Sequence, residues 1–196
     1  VADTAEWLAT HSIHPLRTRR VEADKPPKIV AMEVTLLLGS NDEHAKQLVD
    51  DATAIINIAV GRIVRRSNDY PSEPYGFSAE RGFINRAVVV ETECGAYEVL
   101  RRINLIEALL GRNRDEEARI KSAKGEAYAS RPIDIDIIFY GTETFDDERL
   151  TIPYHFLAER GYALRPVVDV AGEFEHPALD KTPQEMLQLL ELGMSN

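Results

Sequence analysis

Arg131-Pro132-Ile133-Asp134-Ile135-Asp136-Ile137-Ile138-Phe139-Tyr140 is the stretch on which the reading of the chain turns. Ile133, Ile135 and Ile137 alternate with Asp134, Asp136 and Ile138, and a period of two predicts a β-strand. The isoleucines then face a core, and both aspartates point the other way. The aspartate Cα atoms lie roughly 6.5–7 Å apart, two strand steps. Carboxylates at that spacing on a rigid element can converge on one hard cation or a pair of them. Arg131, at the entry to the strand, is placed to hold an anion that the cation also holds. The plain alternative is an amphipathic strand with a solvated acidic face, since aspartate is normally exposed. Aspartate is also a poor strand former, so two in an isoleucine-rich strand call for a reason.

Working outward, residues 33–38 predict a first strand and Gly39-Ser40-Asn41 a turn, with Ser40 and Glu43 spaced as a capping box. Ala45, Leu48, Val49, Ala52, Ile55, Ile56 and Ala59 mark one face of a helix. Residues 62–68 and 83–92 read as strands, and 70–76, with Pro71, Pro74 and Gly76, as a loop between them. A second helix covers 96–110, with Val99, Ile103, Ile106 and Leu110 as its buried stripe and Gly111 as its stop. Asn104 and Glu107 are neighbours on its surface. The order β-α-β-β-α-β predicts an α+β, ferredoxin-like sandwich with two helices on one face of an antiparallel sheet. A further extended piece at 163–170 and a closing helix at 183–192 extend it. Residues 1–30, ending at Lys25-Pro26-Pro27-Lys28, read as an N-terminal extension with a short helix around Trp7 and Leu8, ahead of a domain from 31 to 196. His11 and His14 belong there to a polar connecting segment rather than to a metal pair.

At 196 residues the chain can bury one proper core, and 44% apolar with 29% charged residues is ordinary for a soluble globular protein. The net charge of −10 argues against general nucleic-acid or membrane binding, so a nucleotide site needs a local basic cluster. Cys94 is the single cysteine, which excludes an intramolecular disulfide and fits a cytoplasmic protein. No apolar run approaches membrane-spanning length, and no signal-peptide core stands near the start.

The segment 112–131 supplies the cluster. It holds six basic residues (112, 114, 119, 121, 124 and 131) against four acidic ones (115, 116, 117 and 126). Arginines fork onto phosphate oxygens. A polar loop of this kind beside an acidic, metal-ready strand suggests a polyphosphate site with a lid, the bland alternative being a solvated charged loop. Glycine-rich phosphate loops are absent, so ATP would be held by Mg²⁺ and arginines rather than by a backbone cradle.

Seven short motifs in one order carry a resemblance. They are Gly39-Ser40-Asn41; Tyr70-x-Ser72-x-Pro74-x-Gly76; Phe83-Ile84-Asn85; Glu107-x-x-x-Gly111-Arg112-x-Arg114; Arg131-x-x-Asp134-x-Asp136; Leu150-x-x-Pro153; and Arg160-Gly161-Tyr162 with Pro166 downstream. From about Val34 to Val170 the chain resembles the 6-hydroxymethyl-7,8-dihydropterin pyrophosphokinases of folate biosynthesis. The resemblance implies transfer of pyrophosphate from ATP to the pterin's hydroxymethyl oxygen, with release of AMP. It implies Asp134 and Asp136 as ligands of two Mg²⁺ ions, and Arg112 and Arg131 beside them as catalytic residues. It places ATP on Asn104, Glu107, Arg112, Arg114, Arg131, Ile137, Arg149, Thr151, Tyr154 and Arg160. The pterin ring is implied between Phe83 and Tyr162, its edge on Asn85, with backbone groups of Ser72, Glu73 and Tyr75 completing the pocket. No nucleic-acid or membrane partner is implied.

The chain departs from that family at one motif. The family usually carries histidine directly after the proline matched by Pro153; here Tyr154 stands there and His155 follows. On an extended segment a one-residue shift reverses the side-chain direction. The spacer between Arg114 and Arg131 is long, and Tyr128 is the aromatic in it. Two other readings remain at this stage: a non-catalytic ferredoxin-like module binding nucleotide or RNA, and a family member that binds nucleotide without turnover. An RNA binder calls for exposed aromatics on the sheet and a basic face, against which the −10 charge and the Asp-x-Asp strand speak.

Overall fold

A computed structural model describes residues 31–75, 81–124 and 131–194. The extension 1–30 with its expected helix, Gly76 and Tyr128 lie outside these residues. β1 (Met32–Ser40) is buried continuously from Val34 to Ser40, so it needs neighbours at both edges and cover on both faces. It pairs antiparallel with β4 (Phe83–Thr92) on one side and β5 (Asp134–Tyr140) on the other. The far edge of β4 carries β2 (Arg62–Arg66) and then β3 (Tyr70–Ser72). The strand order β2-β4-β1-β5, all antiparallel, is the expected ferredoxin-like sheet.

One face is covered by α1 (Ala45–Ala59) and α2 (Ala96–Leu109). Val49, Ala52 and Ile56 from α1, and Val99, Ile103 and Ile106 from α2, pack with Leu36, Leu38, Val88 and Val90. Ile133, Ile135 and Ile137 join this core, as their alternation requires. α3 (Arg114–Lys124) follows α2, and a small hairpin of β6 (Phe145–Asp146) and β7 (Thr151–Ile152) follows β5. The opposite face is covered as well, by α4 (Gly161–Ala171) and α5 (Pro183–Glu191). Their Ala163, Leu164, Val167, Val170 and Met186 meet Leu37, Ala87, Val89, Ile138 and Phe139 in a second core. β5 serves both cores through a bulge. Thr35 pairs with Phe139 and Leu36 with Ile137, which leaves Ile138 as the extra residue. Ile138 and Phe139 thereby both enter the second core, and Tyr140 returns to the first.

Four local expectations need correction. Residues 163–170 are helical rather than extended: Ala163, Leu164, Val167 and Val170 recur at helical spacing and are all buried, and Pro166 sits inside the helix at the loss of one backbone donor. Most of the expected loop 112–131 is α3, whose buried Glu117 is tied to Arg112. Residues 70–72, expected as loop, form the edge strand β3, and edge strands tolerate a proline such as Pro71. Ser40 is not a helix cap. It ends β1 and accepts from the Asp42 N–H at 3.3 Å, while the Asp42 carboxylate accepts from the His44 N–H at 2.9 Å ahead of α1.

A buried histidine lies against the second core. His176 is 5% exposed, lies edge-on to Phe139, and accepts from the Ala178 N–H through Nδ1 at 3.1 Å. Burial disfavours the imidazolium and lowers its pKa. A histidine with a lowered folded-state pKa contributes stability above its unfolded value near 6.5 and loses it as pH falls towards the folded value. Wild-type protein is therefore expected to lose more stability than His176→Gln between about pH 7 and pH 5 in urea unfolding. Equal losses would show that His176 does not titrate with unfolding.

Candidate active site

The site begins with the way α2 ends. Gly111 takes φ +96°, its N–H donates to the Ala108 carbonyl at 3.1 Å, and the Arg112 N–H donates to the Glu107 carbonyl at 2.9 Å. This glycine-dependent stop folds Arg112 back beneath the last turn. The Arg112 guanidinium then meets three carboxylates: Glu107 through Nη1 at 2.6 Å, Glu117 through Nε at 2.8 Å, and Asp134 through Nη1. Burial opposes the charge on Arg112, but Glu117, Asp134 and Glu107 outweigh it and hold the pKa above its usual value.

Glu107 is 1% exposed and spends both oxygens inside the protein. Oε1 accepts from the Ile135 N–H at 2.8 Å and from Arg112, and Oε2 accepts from Arg114. Burial raises its pKa, against the arginines. Arg114 also donates to Asn104 Oδ1 at 2.9 Å. On β5, Asp134 Oδ2 accepts from Arg131 Nη2 at 2.8 Å, and the Arg131 backbone N–H donates to Asn41 Oδ1 at 3.0 Å. Asp136, next on the same side of the strand, is pushed up to about 8 by burial and then by Asp134, against the pull of Arg131.

The adjoining strand ends make a second wall. Asn85, 3% exposed, donates through Nδ2 to Ser72 Oγ at 2.9 Å and to the Tyr70 carbonyl at 3.1 Å. Its Oδ1 faces Gly39, where an added Cβ would stand 3.3 Å from that oxygen and 3.7 Å from the Phe83 ring. Arg131 lies over the Phe83 ring at 5.9 Å. Farther round, Arg160 is 6% exposed among the rings of Phe156, Tyr75, Tyr154 and Tyr162, at 4.2, 5.1, 5.8 and 6.0 Å.

These groups line one cleft of about 460 Å³, within the range of small-molecule sites. The structure brings to it every residue that the resemblance assigns to ATP, pterin or metal except Glu107. Ile137, Arg149 and Thr151 line it too; Arg149 lies over the Tyr97 ring at 5.3 Å. Glu107 stands behind the wall and orients two of its arginines. Sequence reading missed Glu117, whose pairing with Arg112 depends on α3 folding back. It also missed Phe156, although aromatic residues at 154, 156 and 162 close to Arg160, with Tyr75 as a fourth, form a pattern that could have been sought.

Mg²⁺ usually takes one or two carboxylates and completes its shell with water and substrate phosphates. Asp134 and Asp136 on the cleft wall fit that requirement. Among the described residues no group of three or more His, Cys, Asp or Glu side chains could hold a metal ion.

Paired carboxylates and several arginines at one end of a ferredoxin-like sheet are the parts of a phosphoryl-transfer site, and solved structures agree on the fold. An HPPK-DHPS protein of Plasmodium falciparum superposes with a TM-score of 0.64 at 17% identity, over 81% of this chain and 42% of that one. The family follows from sequence. The model of 7,8-dihydro-6-hydroxymethylpterin-pyrophosphokinase (HPPK) matches residues 35–172. A 2-amino-4-hydroxy-6-hydroxymethyldihydropteridine pyrophosphokinase of Methylorubrum extorquens is 32% identical over 161 residues, 79% of this chain and 96% of that protein. A mitochondrial folate synthesis bifunctional protein of Arabidopsis thaliana is 31% identical over 71% of this chain, which spans 24% of its length. The chain belongs to the HPPK family.

Proposed function

We propose that the cleft transfers the terminal pyrophosphoryl group of ATP to the hydroxymethyl oxygen of 6-hydroxymethyl-7,8-dihydropterin. The hydroxyl oxygen bonds to the β-phosphorus, the bond from that phosphorus to the α,β-bridging oxygen breaks, AMP leaves with that oxygen, and the hydroxyl proton is released. The observation that carries the reading is the meeting, in one cleft, of an arginine-and-aspartate wall with a wall of Phe83, Asn85 and Tyr162.

On the phosphate side, Arg112, Arg114, Arg131, Arg149 and Arg160 supply forked donors, and Asn104, Thr151, Ile137 and Tyr154 line the nucleotide's path. Asp134 and Asp136 would hold two Mg²⁺ ions, which neutralise phosphate charge and orient the reacting groups when bound. Glu107 acts through Arg112 and Arg114. On the pterin side, Phe83 and Tyr162 offer aromatic faces, Asn85 offers its Oδ1 as an acceptor for the ring's edge while Ser72 and Tyr70 hold its amide hydrogens, and Ser72, Glu73 and Tyr75 form the remaining rim. No general base is needed if positioning and electrostatics carry the step. The domain from residue 31 onwards holds all these residues. Among the described residues no helix is long and apolar enough to cross a membrane.

The test is AMP formation from MgATP with and without the pterin, with the pyrophosphorylated pterin identified by mass. Pterin-dependent AMP is the expected result; nucleotide binding without it would leave a non-catalytic protein. A second measurement separates the walls. Asn85→Ala is expected to weaken pterin binding roughly 10–100-fold, the loss of one or two well-placed hydrogen bonds, while the affinity for an ATP analogue changes less than about threefold. Equal losses in the two titrations would contradict the assignment of Asn85 to the pterin.

A further inference from the structure

Tyr154 stands where the resembled family carries histidine, and its geometry gives it a task of its own. Its backbone N–H donates to the Ile138 carbonyl at 3.0 Å, which ties the residue to β5, the strand of the two aspartates. Its hydroxyl accepts from Arg160 Nη1 at 2.7 Å, and the same Nη1 donates to the Tyr162 hydroxyl at 2.9 Å. Arg160 itself is fixed at the start of α4, where its carbonyl accepts from the N–H groups of Ala163 and Leu164 at 2.9 and 3.0 Å. Beneath the guanidinium lies the Phe156 ring, at 4.2 Å the nearest of the four. A planar cation gripped at one edge by two phenols and supported from below by a ring has little freedom to turn. An imidazole at 154 is shorter and carries no atom at the phenol oxygen's distance from the backbone.

We propose that Tyr154 and Phe156 are positioning residues that lock the Arg160 guanidinium to β5 and aim it into the cleft, so that Tyr154 serves the nucleotide through Arg160 rather than by its own contact. This deepens the pyrophosphokinase reading and rests on it. Preorganisation of a transition-state donor affects turnover as well as binding.

The test is a double-mutant cycle read by calorimetric binding of the Mg²⁺ complex of α,β-methylene-ATP, together with kcat and KM. Tyr154→Phe keeps the ring and removes the hydroxyl; it is expected to weaken analogue binding roughly tenfold, to lower kcat as well, and to leave the melting temperature unchanged. Arg160→Gln is expected to lose more. Adding Tyr154→Phe to Arg160→Gln is then expected to cost less than about twofold further, because the residue through which Tyr154 acts is gone. Phe156→Leu is expected to show the same dependence on Arg160 by an independent route. Losses that multiply in full would overturn the proposal and show that Tyr154 touches the nucleotide directly. Wild-type protein that does not bind the analogue at all would overturn the pyrophosphokinase reading and this proposal with it.

Discussion

Asp136→Asn is expected to lower pterin-dependent AMP formation by about three orders of magnitude, with the fold intact. A carboxylate that holds a cation against transferring phosphates contributes several kcal/mol to the transition state, and each 1.36 kcal/mol is tenfold in rate. The asparagine keeps the shape and gives up the charge. Stability moves the other way. Burial, then Asp134, push Asp136 up to about 8. A carboxyl whose folded pKa lies above its unfolded value near 4 binds more protons folded than unfolded across that window, so it withdraws stability as pH rises through it. In EDTA, D136N is therefore expected to melt at or above the wild-type temperature at about pH 8, with the gap closing towards pH 5. Wild-type rates of AMP release from D136N would sink the metal assignment. Rising wild-type stability relative to D136N between pH 5 and pH 8 would sink the account of Asp136 burial.

Glu107→Ala is expected to produce the largest loss of stability. Its carboxylate, 1% exposed, accepts from a strand N–H and from two arginines, so truncation leaves the Ile135 N–H without that acceptor and Arg112 short of one of its three carboxylates. Removing one partner from a buried charged network costs roughly 3–5 kcal/mol. For a chain of this length that is a fall of about 6–20 °C in Tm. Glu107→Gln retains an oxygen for the Ile135 N–H and is expected to lose about half as much. Affinity for the ATP analogue should fall in both, since Arg112 and Arg114 lose their anchor. An alanine variant that melts within a degree or two of wild type would show that Glu117 and Asp134 suffice to hold Arg112.

The expectations that held were those written in a short period. Ile133, Ile135 and Ile137 declared one face of β5 by alternation alone, and Val99, Ile103 and Ile106 one face of α2. Gly111 announced the end of α2, and a glycine in that conformation ends it. The cleft was legible only jointly, because Phe83 or Asn85 taken singly is an ordinary core or turn residue.

What failed depended on partners distant in the chain. α4 carries β-branched residues and an internal proline, a local pattern that favours extended chain; the second core overrides it by burying Leu164 and Val167 completely. α3 is charged around most of its circumference, and one of the interactions that fix it, Glu117 on Arg112, joins it to the residue just after α2. The bulge at Ile138 left no mark in the sequence, since Ile-Ile-Phe reads equally well with or without a break in register.

Helices on both faces of the sheet leave its end as the part available for recognition. Gly39, Asn85 and Asp134 are neighbours across three strands there. Durability and selectivity are thus lodged in separate places. The two buried layers hold that rim from both sides, so an inhibitor shaped to it meets groups kept in place by packing it does not touch.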